Sequence, residues 1–148
     1  MLKGVLTFLI AIIISGNLLS SNADEVTGKW WTEDEGAIVE IYSRGNEYYG
    51  KLAWIEDPYN DDGTPVTDSE NPDEDKRDRP LEGLEILKSF EYNGNQEWTN
   101  GEIYDPESGN TYSAKMRLED GKLNVRGYYG ISVLGRTQIW QPADQIPE

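Results

Sequence analysis

Gly28-Lys29-Trp30-Trp31-Thr32 opens the strand-rich part of this chain, and Gly135-Arg136-Thr137-Gln138-Ile139-Trp140 ends it. Both stretches contain Trp and Thr, and the second also contains Ile; these residues fit the pleated surface of a β-sheet. Between them, turn residues recur about every eight to twelve positions, and helix signals are weak. The spacing predicts an all-β protein.

Eight candidate strands follow from this spacing, and most of the turns that join them are short. Asn93-Gly94-Asn95 and Glu119-Asp120-Gly121-Lys122 carry the Asn-Gly and Asp-Gly signals of tight hairpins. Sequential hairpins predict an antiparallel up-and-down order, and eight strands can close into a barrel with room for side chains or one small ligand. The predicted strands are 28–33, 37–43, 47–55, 84–92, 96–104, 110–118, 121–129 and 134–141.

The first 23 residues have the features of a cleavable signal peptide. Lys3 supplies the positive start, residues 5–14 form an apolar run, and Ser21-Asn22-Ala23 offers small residues for cleavage near Ala23. The run is too short to span a bilayer. We therefore expect a single barrel domain over residues 24–148, with no membrane span, located in the periplasm or outside the cell.

Charge and composition exclude several functional classes. The chain has 28 acids and 13 bases, and Lys3 is the only charged residue of the first 23, so residues 24–148 carry a net charge of −16. This disfavours nucleic acid and anionic membrane surfaces as partners. The chain has no His and no Cys, which removes the commonest general base, the thiolate nucleophile and the usual zinc sites. We expect no cofactor and no enzymatic activity, with Glu102 as the only carboxylate we would test as a catalyst.

Residues 56–79 interrupt the strand pattern with ten acids and three bases. A loop of this length is uncommon in a compact domain and is usually functional or disordered. Its carboxylates could hold a hard cation such as calcium, although Pro58 stands where the first Asp of an EF-hand would be. The alternatives are a solvated charged loop, or a lid over the barrel mouth around Arg77, Asp78 and Arg79, in which the two arginines pair back onto barrel carboxylates.

Aromatic side chains with polar tips dominate the predicted interior. After residue 23 the chain has five Trp and nine Tyr but only one Phe, and such a lining suits an amphipathic ligand better than a plain acyl chain. A barrel core packed solid with these side chains is the alternative. The candidate cavity residues are Trp54, Tyr112, Met116, Arg126, Tyr128 and Tyr129.

The order of motifs along the chain resembles the bacterial family known as domain of unknown function 2147. The resemblance rests on Gly28-Lys29-Trp30, Gly50-Lys51-Leu52-Ala53-Trp54, Arg77-Asp78-Arg79-Pro80-Leu81, Gly101-Glu102-Ile103-Tyr104-Asp105-Pro106 and Gly135-Arg136-Thr137-Gln138-Ile139-Trp140. It implies a small exported protein with a lipocalin-like, or calycin-like, barrel. As in lipocalin-like barrels, Trp30 is expected to lie across one end, with Arg136 stacked on it.

These observations favour an exported protein that binds a small amphipathic or hydrophobic molecule. The alternative is a module of the cell envelope that has a packed barrel and acts through its surface, with an acidic loop that could hold a hard cation such as calcium.

Overall fold

A computed structural model describes residues 22–148 of the chain, with Ser132 described by its backbone alone. The predicted signal peptide therefore lies outside the described residues, except for Asn22 and Ala23. These two residues open a short 3₁₀ helix, Asn22–Val26, and two further 3₁₀ turns occur at Glu74–Lys76 and Ser132–Leu134. No helix in residues 22–148 is long and apolar enough to cross a membrane.

Eight antiparallel strands form a closed barrel in up-and-down order, which confirms the predicted fold. Every strand begins and ends within two residues of its predicted bounds, because alternation and tight turns mark strand limits well in a meander. The strands are β1 (Gly28–Trp31), β2 (Ala37–Arg44), β3 (Glu47–Ile55), β4 (Glu85–Gly94), β5 (Glu97–Asp105), β6 (Asn110–Glu119), β7 (Lys122–Tyr128) and β8 (Arg136–Pro142).

The two ends of the barrel differ in the length of their connections. At one end, here called the closed end, three tight hairpins join β2 to β3, β4 to β5 and β6 to β7. At the other end, here called the mouth, residues 32–36, 56–84, 106–109 and 129–135 connect the remaining strand pairs. Long loops therefore gather at the mouth, as is common where a barrel carries a binding site.

The N-terminal 3₁₀ helix plugs the closed end. Two indoles hold it, since Trp98 Nε1 donates to the Ala23 carbonyl at 3.0 Å and Trp30 Nε1 donates to the Val26 carbonyl at 2.9 Å. Val26 is fully buried between the strands. Closure of this end thus depends on the chain just before β1.

The structure does not bring Arg136 onto Trp30, so the expected stacking of these residues is wrong. Trp30 pairs with Pro142 at the closed end of β8, whereas Arg136 pairs with Gly127 at the other end of the same strand. Six residues of extended strand separate the two positions by about 20 Å, which is farther than the two side chains can reach. Trp30 does help to close one end, but its partner is the 3₁₀ helix.

Large side chains fill the lower interior around a glycine on β5. The Phe90 ring lies where a Cβ on Gly101 would be, with ring atoms 2.4 Å from that position. Phe90, Trp98 and Trp140 are all nearly inaccessible to solvent. Burial of one such side chain contributes about 1.5–3 kcal/mol, so this layer is a main source of the barrel's stability.

We predict that Gly101→Ala lowers the free energy of unfolding by about 1–3 kcal/mol, because the new methyl group forces Phe90 out of a closely packed layer. Chemical denaturation followed by tryptophan fluorescence measures the loss. Gly36→Ala is the matched control, since a Cβ there meets its nearest atom at an ordinary 3.5 Å. Equal stability of the two variants would contradict this account of the core.

Candidate functional site

A cavity of about 340 Å³ lies inside the barrel beneath the mouth. Strands β4 to β8 form its wall, and Thr32, which follows β1, completes it. The side chains and backbone around it come from Thr32, Ile86, Ile103, Tyr104, Asp105, Pro106, Tyr112, Val125, Gly127, Arg136, Gln138 and Trp140. The barrel is therefore filled at its closed end and hollow near its mouth.

Glycine at position 127 keeps the upper interior open. A Cβ placed there would lie 3.3 Å from Ile103 Cγ2 and 3.6 Å from Tyr112 Cβ, two residues of the cavity wall. Gly127 pairs with Ala114 on one side and with Arg136 on the other. The absence of a side chain at this position therefore provides part of the cavity's space.

The depth of the cavity is apolar. Trp140 is almost fully buried, and Val125 pairs with Gln138 beside it. The Trp140 indole N–H donates to Gln138 Oε1 at 2.9 Å, which satisfies its only polar group. A ligand reaching this depth meets the ring face and aliphatic side chains.

Polar groups gather toward the mouth. Arg136 shares the inward face of β8 with Gln138 and Trp140, because alternate residues of a strand point to the same side. Its side chain is exposed and makes no hydrogen bond or ion pair with the described residues. A guanidinium in this position can donate two parallel hydrogen bonds to a carboxylate, a phosphate or a similar acceptor.

Two tyrosines form part of the rim. The centroids of the Tyr112 and Tyr129 rings lie 4.6 Å apart, and the ring planes meet at 52°. The hydrogen bond to Tyr112, more than partial desolvation, raises the pKa of Tyr129 above its ordinary value. The structure thus places predicted residue Tyr112 in the cavity wall and predicted residue Tyr129 at its edge.

The other four predicted cavity residues do not line the cavity. Met116 is buried in the core nearer the closed end. Trp54 is displaced by a β-bulge: Leu52 pairs with Val39 but Trp54 pairs with Ile38, so the extra residue moves Trp54 to the opposite face. There its ring packs edge-on against the Trp31 ring, with the two ring centroids 5.5 Å apart.

Arg126 and Tyr128 lie on the outward face of β7, because Val125 and Gly127 take the inward positions. Arg126 Nη1 donates to Thr137 Oγ1 at 2.7 Å, and Nη2 donates to the Val133 carbonyl at 3.2 Å. Arg126, predicted to contact a ligand, therefore links β7 to β8 and to the loop that joins them.

Several lining residues escaped the sequence prediction. The candidate set omits Gly127 on β7 and Gln138 and Trp140 on β8. The spacing of Arg136, Gln138 and Trp140 at every second position of one strand is a signal that identifies the two β8 residues. Glu102, the one carboxylate considered as a catalyst, is exposed on the outside of the barrel opposite Ser113.

The acidic loop, residues 56–79, is folded against the barrel wall. Asp68 is fully buried and accepts hydrogen bonds from Tyr104 Oη at 2.6 Å, Asn71 Nδ2 at 2.7 Å and Arg79 Nη2 at 3.1 Å. The Asp68 N–H also donates to the Arg79 carbonyl. A single buried carboxylate therefore ties the loop both to itself and to β5.

This arrangement corrects the expectation of a lid. Arg77 Nε donates to the Asn71 carbonyl at 2.7 Å and Arg79 pairs with Asp68, so both arginines find their partners inside the loop. Asp78 is exposed to solvent. No residue of 56–84 belongs to the cavity wall described above.

Carboxylates of the described residues do not converge on a cation. No group of three or more acids within residues 22–148 has the geometry to hold a metal ion. The calcium hypothesis therefore gains no support from the positions of these side chains.

The contacts of Asp68 and Tyr104 set their protonation. Burial alone raises the pKa of Asp68, but the hydrogen bonds from Tyr104, Asn71 and Arg79 outweigh it and hold the pKa below the ordinary value. Desolvation and the adjacent Asp68 carboxylate raise the pKa of Tyr104 to about 12. At neutral pH the pair is an ionised carboxylate and a neutral phenol.

Comparison with known proteins is consistent with this architecture. Residues 28–142 match the sequence model of a family described as "Uncharacterized protein conserved in bacteria (DUF2147)", which confirms the resemblance carried by the motifs. No curated protein matches the chain. A solved structure, described as protein HP1028 from Helicobacter pylori of the lipocalin family, is similar with a TM-score of 0.69 and 20% identity, over 80% of this chain and 82% of that chain. At this identity the likeness shows a lipocalin-like fold.

We predict that Tyr104→Phe lowers the free energy of unfolding by about 1–3 kcal/mol at neutral pH, because it removes a donor from a buried carboxylate. The difference from the wild type is expected to shrink as pH rises from about 10 to 12. A raised tyrosine pKa stabilises the fold below the unfolded value of about 10, and that stability is lost as the folded protein titrates.

Urea denaturation at a series of pH values tests this prediction, with Tyr59→Phe as the control because Tyr59 is an exposed residue of the same loop. A difference between Tyr104→Phe and wild type that persists unchanged at pH 12 would show that the hydrogen bond to Asp68 is not its source.

Proposed function

We propose that this chain, which belongs to the bacterial DUF2147 family, is an exported protein that binds one small amphipathic molecule in the cavity beneath its mouth, without catalysing its turnover. The observation that carries the proposal is an interior cavity with an apolar depth and a polar rim. Export is proposed from the signal-like character of the first 23 residues.

The size of the cavity limits the ligand. Ligand pockets of proteins usually enclose about 300–1,000 Å³, and about 340 Å³ is near the lower limit. A compact apolar group fits this space better than a long chain. Its placement against Trp140 and Val125 removes apolar surface from water, which is the main favourable contribution to binding.

The polar end of the ligand is expected to face Arg136. This guanidinium stands at the mouth without a partner among the described residues, so an acceptor on the ligand would complete its hydrogen bonding. Gln138 and Tyr112 lie along the same wall and offer further polar contacts. The proposed orientation is therefore apolar end inward and acceptor outward.

A binding role also agrees with the hydrogen bonds of Asp105, the carboxylate in the cavity wall. Asp105 accepts hydrogen bonds from the Glu107 N–H at 3.0 Å and from Ser108 Oγ at 2.6 Å, which commits both carboxylate oxygens to the β5–β6 turn. These bonds oppose a role for Asp105 as a general base toward a bound molecule.

We predict that Gly127→Val and Arg136→Gln both weaken binding of 1-anilinonaphthalene-8-sulfonate, a probe with an apolar body and one sulfonate. The valine fills the upper cavity and should abolish saturable binding. Loss of the charged donor should raise Kd about tenfold, since a hydrogen bond to a charged group contributes about 1.5–3 kcal/mol. Fluorescence titration, with energy transfer from tryptophan to the probe, measures both effects.

Two matched variants control for nonspecific effects. Ser113→Val adds the same side chain on the outside of the barrel, at an exposed position paired with Tyr128. Arg117→Gln removes an exposed arginine that pairs with Glu97, toward the closed end. If these controls weaken binding as much as the cavity variants, or if all variants bind equally, the probe does not occupy this cavity and the proposal fails.

A further inference from the structure

The loop joining β7 to β8, residues 129–135 and here called the mouth loop, exposes a cluster of apolar side chains. Its sequence Tyr129-Gly130-Ile131-Ser132-Val133-Leu134-Gly135 contains no charged residue. Tyr129, Ile131, Val133 and Leu134 are 61%, 62%, 74% and 77% exposed, respectively. Single exposed apolar residues are common, but four within seven residues beside a cavity form a patch of the kind found at interaction surfaces.

Hydrogen bonds to two carbonyls fix part of the loop's backbone. Val133 and Leu134 lie in the 3₁₀ turn Ser132–Leu134, where the Leu134 N–H donates to the Ile131 carbonyl at 3.2 Å. Arg126 ties the Val133 carbonyl to the barrel wall. A partner that contacts this surface therefore meets a loop whose backbone is already partly ordered, which favours affinity.

The other connections at the mouth end of the barrel are strongly acidic. The other three connections at the mouth, residues 32–36, 56–84 and 106–109, together carry fifteen acids and three bases. Their net charge of −12 is three quarters of the −16 of residues 22–148. Arg126 and Arg136 flank the mouth loop, but they offset only a small part of this charge.

This charge distribution distinguishes among possible occupants of the surface. Two copies of the chain meeting at their mouths would bring two acidic ends together, and an anionic lipid surface would meet the same repulsion. A basic surface around an apolar recess is complementary to both features of the mouth. Apolar contact in the centre with charge pairing at the rim is also the usual composition of a protein interface.

We propose that the mouth of the barrel is the docking site for a basic protein, which receives Ile131, Val133 and Leu134 in an apolar recess and pairs its lysines and arginines with the acidic connections. This partner would cover the opening of the cavity. The proposal stands independently of ligand binding, because it depends on the outside of the mouth.

Site-specific photocrosslinking in the native host tests the proposal first. A benzophenone-bearing residue in place of Val133 should give an adduct with one basic protein, identified by mass spectrometry. The same residue in place of Ile146, a partly exposed position that follows the closed end of β8, should not give this adduct.

Binding of the purified partner then tests the chemistry. Val133→Ser is expected to raise its Kd about tenfold, because it removes an aliphatic side chain that the partner would bury, whereas Ile146→Ser should leave Kd unchanged. Raising NaCl from 0.05 to 0.5 M should weaken binding as the charge pairing is screened. Thermal melting of each variant shows that its fold is intact.

Several results would overturn the proposal. An adduct with lipid or with a second copy of the chain would assign the surface to a different occupant, as would cosedimentation with phosphatidylglycerol vesicles that Val133→Ser abolishes. The proposal would also be contradicted if positions 133 and 146 gave equal labelling. It would fail as well if Val133→Ser left the Kd of the captured protein unchanged, or if binding became stronger as salt was raised.

Discussion

The interior of an eight-stranded barrel has a limited volume. The position of Phe90 determines which part of that volume side chains fill and which part stays open. Because the ring occupies the place of a side chain on Gly101, the large residues of β4 and β5 pack into the lower half of the barrel. Trp98 extends this layer to the N-terminal 3₁₀ helix, which it holds by a hydrogen bond. Because these side chains fill the closed end, the remaining interior space lies under the mouth.

The mouth combines three properties that follow from different parts of the chain. Gly127 and the alternation of β8 supply a cavity with Arg136 at its opening. The long β3–β4 connection contributes most of the acidic charge and is tied to the wall through Asp68 and Tyr104. The β7–β8 connection adds an apolar surface. Binding inside the barrel and docking on its mouth therefore involve neighbouring but separate groups.

The fold was predictable from sequence because its determinants are local. Alternation and short hairpins fix strand limits, and β3 was predicted with its observed bounds. The site was less predictable because it depends on register. A bulge between Leu52 and Trp54 turns Trp54 to the outside, and the β1–β8 pairing places Arg136 far from Trp30. The folded state of residues 56–84 depends on a hydrogen bond from Tyr104 on β5 to Asp68, a contact between distant parts of the chain that no local pattern shows.

Native mass spectrometry of the protein, purified gently from its own host, tests the central claim most directly. The account predicts a bound molecule of a few hundred daltons that is lost on denaturation and is absent from Gly127→Val prepared in the same way. A wild-type protein that carries no adduct, or an adduct retained equally by Gly127→Val, would contradict the claim that the space above Phe90 is a ligand site.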